Sequence, residues 1–195
     1  MNAASGSTSS ETIEPGFALF ETAIGTCALA WGPRGLVGVQ LPEENGEAAT
    51  RARMRRRFAN LSEAEPPESA RRAIAAIQGL LNGESDDDLS GIVLDMSHVS
   101  EFHQRIYAIA RRIPPGQTRT YGEIAAELGD KGLSRAVGQA MGHNPFAPVV
   151  PCHRVLAAGN KPGGFSAGGG ALTKLRMLDI EGARPNGMAS LFQQP

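Results

Sequence analysis

Short apolar runs broken by Gly and Pro occupy the start of the chain. Phe17-Ala18-Leu19-Phe20-Glu21-Thr22 leads to a turn at Gly25, then Thr26 to Trp31, Gly32-Pro33-Arg34-Gly35 and Leu36-Val37-Gly38-Val39-Gln40-Leu41. Runs of this length between turn residues predict two or three antiparallel strands. Residues 46–60 read as a helix carrying Arg51, Arg53, Arg55, Arg56 and Arg57, a solvated helix face or an extension of a binding surface. From Ala70 to Leu81, Ala73, Ile74, Ile77, Leu80 and Leu81 recur at helical spacing, and Asn82-Gly83 supplies the stop. An acidic loop, Glu84 to Asp88, comes next, and Ile92-Val93-Leu94 is a candidate last strand.

The pattern changes at about Ser97. Phe102, Ile106, Ile109 and Ile113 fall on one helical face, and Pro114-Pro115-Gly116 ends it. Thr120 with Glu123 three residues on is a capping box that opens a short helix ending near Leu128, with Gly129 as its C-terminal cap. After a tight turn, Ser134 is placed to cap a second helix through Val137 and Met141 to about His143. Two short helices across such a turn make either a DNA-binding helix-turn-helix or an ordinary helical hairpin. The expected architecture is a small α/β N-terminal domain (antiparallel sheet plus helices) over residues 15–96. A mostly α C-terminal domain with a helix-turn-helix follows over residues 97–184. Tails at 1–14, small and polar and expected to be disordered, and at 185–195 flank the two.

Charge sharpens this division. Residues 1–96 hold 8 Lys/Arg against 14 Asp/Glu, whereas residues 97–195 hold 11 against 6. The basic second half is the one suited to a polyanion. No apolar run is long enough for a membrane span, and the first residues lack the pattern of a signal peptide. Two distant cysteines form no disulfide framework, which points to a reducing, cytoplasmic setting. Cys27, His98, His103 and His143 have no metal-ligand spacing, so no metal is expected. The glycine-rich run from Gly163 to Gly170 lacks the spacing of a nucleotide fingerprint, and no cofactor is expected.

The chemistry concentrates in Pro151-Cys152-His153-Arg154-Val155, behind the apolar run Phe146-Ala147-Pro148-Val149-Val150. A thiol reacts as thiolate, and a neighbouring imidazole or cation favours that form. A lone cysteine is also commonly an inert core residue. Adjacent side chains do not face each other on a helix or strand, so His153 reaches Cys152 only through a turn or a bridging water. Cys27, within a strand and with no His beside it, reads as structural.

Ile113-Pro114-Pro115-Gly116, Thr120-Tyr121-Gly122-Glu123-Ile124-Ala125, Arg135-Ala136-Val137-Gly138, Asn144-Pro145 and Pro151-Cys152-His153-Arg154-Val155 occur together in order. In this order and spacing, over about residues 97 to 182, the chain resembles the O6-alkylguanine-DNA alkyltransferases, also called methylated-DNA–protein-cysteine methyltransferases. The resemblance of the first half to that family's small α/β domain is much weaker. It implies a DNA repair protein that flips O6-alkylguanine, with O4-alkylthymine a further candidate, out of duplex DNA held through the minor groove. The alkyl group then passes irreversibly to Cys152, one per molecule, in a monomeric protein. His153 would take the thiol proton through a water, Glu181 would orient His153, and Asn144 would brace the helix pair against the Cys152 turn. Tyr121 would donate to the flipped base and press on the backbone. Arg135 would fill the space the base leaves, with Ala136, Gly138, Ala140 and Thr120 close to the DNA. Val149, Val150, Pro151, Val155, Phe165 and Ser166 would form the substrate pocket, with Ser166 donating to O6.

Phe165 stands where the family commonly has Tyr, and the eight residues between Phe165 and Lys174 are about two more than its usual spacing. A non-catalytic damage sensor, a helix-turn-helix regulator and a thiol hydrolase are the competing functions. The sensor would have no use for Cys152, and the hydrolase would turn over without DNA.

Overall fold

The three apolar runs form a meander: β1 (Gly16–Thr22), β2 (Gly25–Gly32) and β3 (Gly35–Gln40), paired antiparallel in sequence. This computed structural model describes residues 13–185, so residues 1–12 and 186–195 of the two expected tails lie outside the described residues. A strand points successive side chains to opposite faces. Ala18, Phe20, Cys27, Leu29 and Trp31 accordingly enter the main core, while Phe17, Ala28 and Ala30 enter a second, smaller cluster. The helix α1 (Gly46–Arg57) contributes Met54 to that second cluster, and α2 (Glu68–Leu81) packs Ala70, Ala73, Ile77, Leu80 and Leu81 into the first. With both faces covered, β2 is buried along nearly its whole length.

The sheet departs from the expected all-antiparallel form. A two-residue strand β4 (Ser62–Glu63) pairs parallel with Gly16 and Phe17, giving a mixed sheet of order β3-β2-β1-β4. The helical crossover through α1 returns the chain in the same direction, which is what parallel pairing needs. The expected strand at Ile92-Val93-Leu94 does not form. Only Leu94 bridges Leu36, held by hydrogen bonds from Leu36 N to Val93 O and from Asp95 N to Leu36 O, and the Val93 side chain is exposed.

In the second half, α3 (Glu101–Ala110) starts at Ser100, whose hydroxyl accepts from His103 N. The capping box at Thr120 and Glu123 is present and opens α4 (Tyr121–Glu127). Gly129, just past it, takes φ of 99°, a conformation that favours glycine. α5 (Ser134–Gly142) begins differently from expectation. Asp130 caps a 3-10 turn over Lys131–Leu133, and the Ser134 hydroxyl donates to Lys131 O instead of capping the helix. A short parallel pair, β5 (Arg119–Thr120) with β6 (Val155–Leu156), ties the start of α4 to the segment after Cys152. The chain closes with α6 (Gly170–Ile180). The main core runs without a break from Ala18 to Met177 and draws on both halves.

Candidate active site

Cys152 opens a 3-10 turn, Cys152–Arg154, that follows the buried segment Phe146 to Pro151, with a cis peptide before Pro148. Asn144 fixes this turn to the end of α5. Its amide donates to Val150 O at 2.7 Å and its side-chain oxygen accepts from Phe146 N at 2.9 Å. His153 and Arg154 both turn inward and meet Glu181, the residue that caps α6. The His153 Nε2 lies 2.8 Å from Glu181 Oε1, and Arg154 donates to both carboxylate oxygens, at 2.9 and 2.8 Å, and to Ile113 O at 2.7 Å. Glu181 is therefore shared between an imidazole and a guanidinium, all three buried.

Burial opposes a charge on Glu181. The hydrogen bonds from His153 and Arg154 outweigh that and hold its carboxyl at about 2. Burial also lowers the pKa of His153, against the pull of Glu181. An ionised carboxylate can only accept, so Nε2 carries the proton and donates it to Glu181. Nδ1 is then a free lone pair, and this buried atom has no hydrogen-bond partner among the described residues. Burial pushes the Cys152 thiol up from its ordinary value, and a hydrogen bond from Asn144 and the nearby Lys174 charge act the other way. At rest the group is a thiol beside a neutral imidazole, with cationic and amide groups placed to receive a thiolate.

Lys174, on α6, is fully buried; it donates to Val155 O at 2.6 Å and lies 5.9 Å from the centres of both the Tyr121 and Phe165 rings. Desolvation lowers its pKa to about 8, while Cys152 draws it back up. Tyr121 is half-buried, and burial, then Cys152, raises its phenol pKa, so its hydroxyl stays a donor at neutral pH.

Two cavities reach Cys152. The first, of about 410 Å³, is lined by Tyr121, Gly138, Met141, Gly164, Phe165 and Ser166 as well as the cysteine. The second, of about 230 Å³, shares Cys152, Phe165 and Ser166 but takes Gln40, Arg53 and Arg57 from the first half. Val149, Val150, Pro151 and Val155 are buried beneath the turn and line neither cavity. Arg135 is exposed on the outer face of α5, with Ala136 partly covered beside it. Ala140 instead faces the core, where its carbonyl accepts from the Tyr107 hydroxyl, so it is not on the outer face of α5. Thr120 spends its hydroxyl on the capping box. The buried face of α6 is Lys174, Met177 and Leu178, extended by Glu181, whereas Leu175 and Ile180 on the same helix are only half-buried. Lys174, Arg154 and Gln40 have no role assigned from the sequence, and Arg57, expected on a solvated helix face or an extended binding surface, is instead half-buried against Val39 O and Gln40. A lysine at helical spacing with Met177, Leu178 and Glu181 was the available signal.

No group of three or more His, Cys, Asp or Glu among the described residues could hold a metal ion, and no helix among them is long and apolar enough to cross a membrane. Residues 101–183 match a sequence model described as the DNA-binding domain of 6-O-methylguanine DNA methyltransferase. A methylated-DNA–protein-cysteine methyltransferase of Mycobacterium bovis is 46% identical over 93 residues, 48% of this chain and 55% of that protein, so the chain spans about half the length of such curated relatives. The structural likeness reaches further. The crystal structure of the Mycobacterium tuberculosis O6-methylguanine methyltransferase superposes with a TM-score of 0.70 at 31% identity, covering 87% of this chain and 93% of that one. A structure from the same organism solved in complex with DNA gives 0.66 at 31% identity, over 85% and 92%. With residues 101–183 matched by the DNA-binding model and 31% identity to a solved member over 87% of this chain and 93% of that one, the chain belongs to the O6-methylguanine-DNA methyltransferase family.

Proposed function

We propose that the protein repairs alkylated DNA by taking the alkyl group of O6-alkylguanine onto Cys152, once per molecule. The observation that carries this is the His153–Glu181 hydrogen bond. It fixes the imidazole tautomer so that a buried Nδ1 lone pair is left as a base, next in sequence to a cysteine lining two cavities. The proton leaves the Cys152 thiol for His153 Nδ1 through a water. Arg154 and Glu181 keep the resulting imidazolium balanced. The thiolate attacks the alkyl carbon, the C–O6 bond breaks, and its electron pair leaves with the guanine. The Tyr121 hydroxyl, which lines the same cavity, donates to the base as that charge develops. The product is a thioether, and no group beside it can cleave it. Ser166 is the candidate donor to O6, and Phe165 stacks.

Because the target atom lies within the base stack, the base must be flipped out. In this reading residues 97–184 are the DNA-binding and acceptor domain and residues 15–96 the smaller partner domain. α4 and α5 act as a helix-turn-helix that meets the minor groove, with Arg135 entering the duplex and Ala136 and Gly138 beside it. The Mycobacterium tuberculosis relative solved with DNA supports DNA as the partner. A cytoplasmic, monomeric protein belongs to the same reading, and O4-alkylthymine is a second candidate substrate.

The test is intact-protein mass with peptide mapping after mixing with a duplex holding one O6-methylguanine. One methyl group on Cys152, stopping at one per protein, is expected. Tight binding without a mass gain would identify a damage sensor instead.

A further inference from the structure

The two cavities at Cys152 differ in character. The first is walled by Tyr121, Met141 and the glycines at 138 and 164, and Gly138 places it on the side of α5 that carries the exposed Arg135. A base arriving from that side fills this cavity and brings O6 to the sulfur. A methyl group needs no further space. The second cavity, which also reaches Cys152, offers a longer substituent on O6 a path past Sγ.

That second cavity is basic. Arg53 and Arg57 both line it, with Gln40, Asn144 and Ser166, and no Asp or Glu among the described residues does. Arg57 donates to Val39 O at 3.0 Å and to the Gln40 side-chain oxygen at 2.9 Å, and its second nitrogen is 3.5 Å from Pro145 O. All of these are neutral acceptors, and no carboxylate among the described residues lies within ion-pair distance of Arg57. Arg53 has only a distant contact, 3.9 Å from Glu43, a carboxylate already accepting from Gln40. Desolvation, then repulsion from Arg53, lowers the Arg57 pKa, the signature of a cation held without its counter-ion. The arginines on the outer side of α1 are different: Arg51 and Arg55 are paired with Glu63, and Arg51 also with Glu47.

We propose that Arg57 and Arg53 form a subsite for the anionic end of an O6-carboxyalkyl group, so that carboxymethyl-type lesions are favoured over neutral ones of the same size. This rests on the alkyltransferase reading above. A carboxylate next to the attacked carbon repels the incoming thiolate, and two cations beyond the sulfur offset that repulsion. In the transfer, the Sγ–CH2 bond forms as the CH2–O6 bond breaks. The electron pair goes to O6, the proton held by His153 returns to the guanine, and the carboxylate keeps its charge throughout.

The experiment compares single-turnover transfer to Cys152, read by intact mass. The duplexes hold one O6-carboxymethylguanine, its neutral isostere O6-carbamoylmethylguanine, or O6-methylguanine. The readout is the ratio of carboxymethyl to carbamoylmethyl rates. Losing a charge-assisted hydrogen bond should lower that ratio about tenfold or more in Arg57→Gln. Arg53→Glu, at a half-exposed position where folding is not at risk, should reverse the preference. An unchanged ratio in both variants overturns the subsite. Equal slowing of all three duplexes, with a weaker salt dependence, would assign the arginines to DNA phosphates and overturn it too. No transfer from O6-methylguanine by the unmodified protein would sink the alkyltransferase reading, and the subsite with it.

Discussion

Glu181 holds two partners, and its replacement separates the two. Glu181→Gln leaves Arg154 buried with no anion, a change that typically costs about 3–5 kcal/mol. Chemical denaturation should show that loss. The pH dependence follows from its lowered pKa. A carboxyl near 2 in the folded protein and near 4.5 when unfolded adds stability above the higher value, and that contribution disappears as pH falls from about 4.5 to about 2. The Gln variant should lack this acid-dependent part of the unfolding profile. Lys174 gives a kinetic counterpart. Its charge favours the Cys152 thiolate, so Lys174→Met should raise the thiol pKa and move the alkylation pH–rate profile toward higher pH, with slow transfer at neutral pH. An unshifted profile would leave the lysine with only its bond to Val155 O. Cys152 and His153 stand out in the sequence as a candidate reactive pair by residue type, whereas the places of Asn144 and Glu181 come only from the family resemblance. Lys174 and Arg154 do not stand out. Each is a charge whose role depends on what buries it, and burial comes from α6 packing back on the Cys152 turn some 20 residues earlier in the chain.

The elements whose formation rests on local pattern were predictable, and those that rest on distant pairing were not. β1 to β3, α2 and the capping box of α4 follow from periodicity and side-chain chemistry within a few residues. Ser62 and Glu63 become a strand only because Gly16 and Phe17 have a free edge beside them, and neither residue has a strand-like pattern. The β5–β6 pair joins segments 36 residues apart by two residues each. Ser134 fits a capping role by type, yet the 3-10 turn before it presents Asp130 instead. The glycine-rich loop ahead of α6 has a comparable long-range constraint. A Cβ at Gly168 would lie 2.5 Å from Pro42 O and 2.9 Å from the Glu43 Cα, both backbone atoms that cannot swing aside. Gly169 N also donates to Glu44 in that segment. Gly168→Ala should therefore separate this loop from residues 42–44 and loosen Phe165 and Ser166. A destabilisation of about 1–3 kcal/mol is expected from such overpacking, with slower transfer to Cys152. Thermal unfolding beside a single-turnover assay measures both, and an unaffected variant would mean that the loop is not clamped.

At the scale of the whole molecule, the charge division at residue 96 does not coincide with a division of the core. Leu36 and Val39 share one apolar cluster with Ile106, Phe146 and Val150. Hydrogen bonds also cross the boundary. Val39 N donates to Pro145 O at 2.8 Å, Arg111 donates to the carbonyls of Leu89, Ser90 and Ile92, and Arg176 reaches Ala23 O. The first half also supplies the Gln40, Arg53 and Arg57 wall of the second cavity at Cys152. A domain whose apolar face is covered by its neighbour exposes that face when cut away, and folded domains hold only about 5–15 kcal/mol in reserve. Two consequences follow for the proposed division at residues 15–96 and 97–184. The intact chain should melt in one cooperative transition, with probes in the two halves coincident, as two-state unfolding requires. Residues 97–184 produced alone should melt well below the intact chain, although they hold Cys152, His153 and Glu181. Two separate transitions in the intact chain, or an isolated second half of undiminished stability, would show that the halves fold independently and that the shared core contributes little to holding the nucleophile in place.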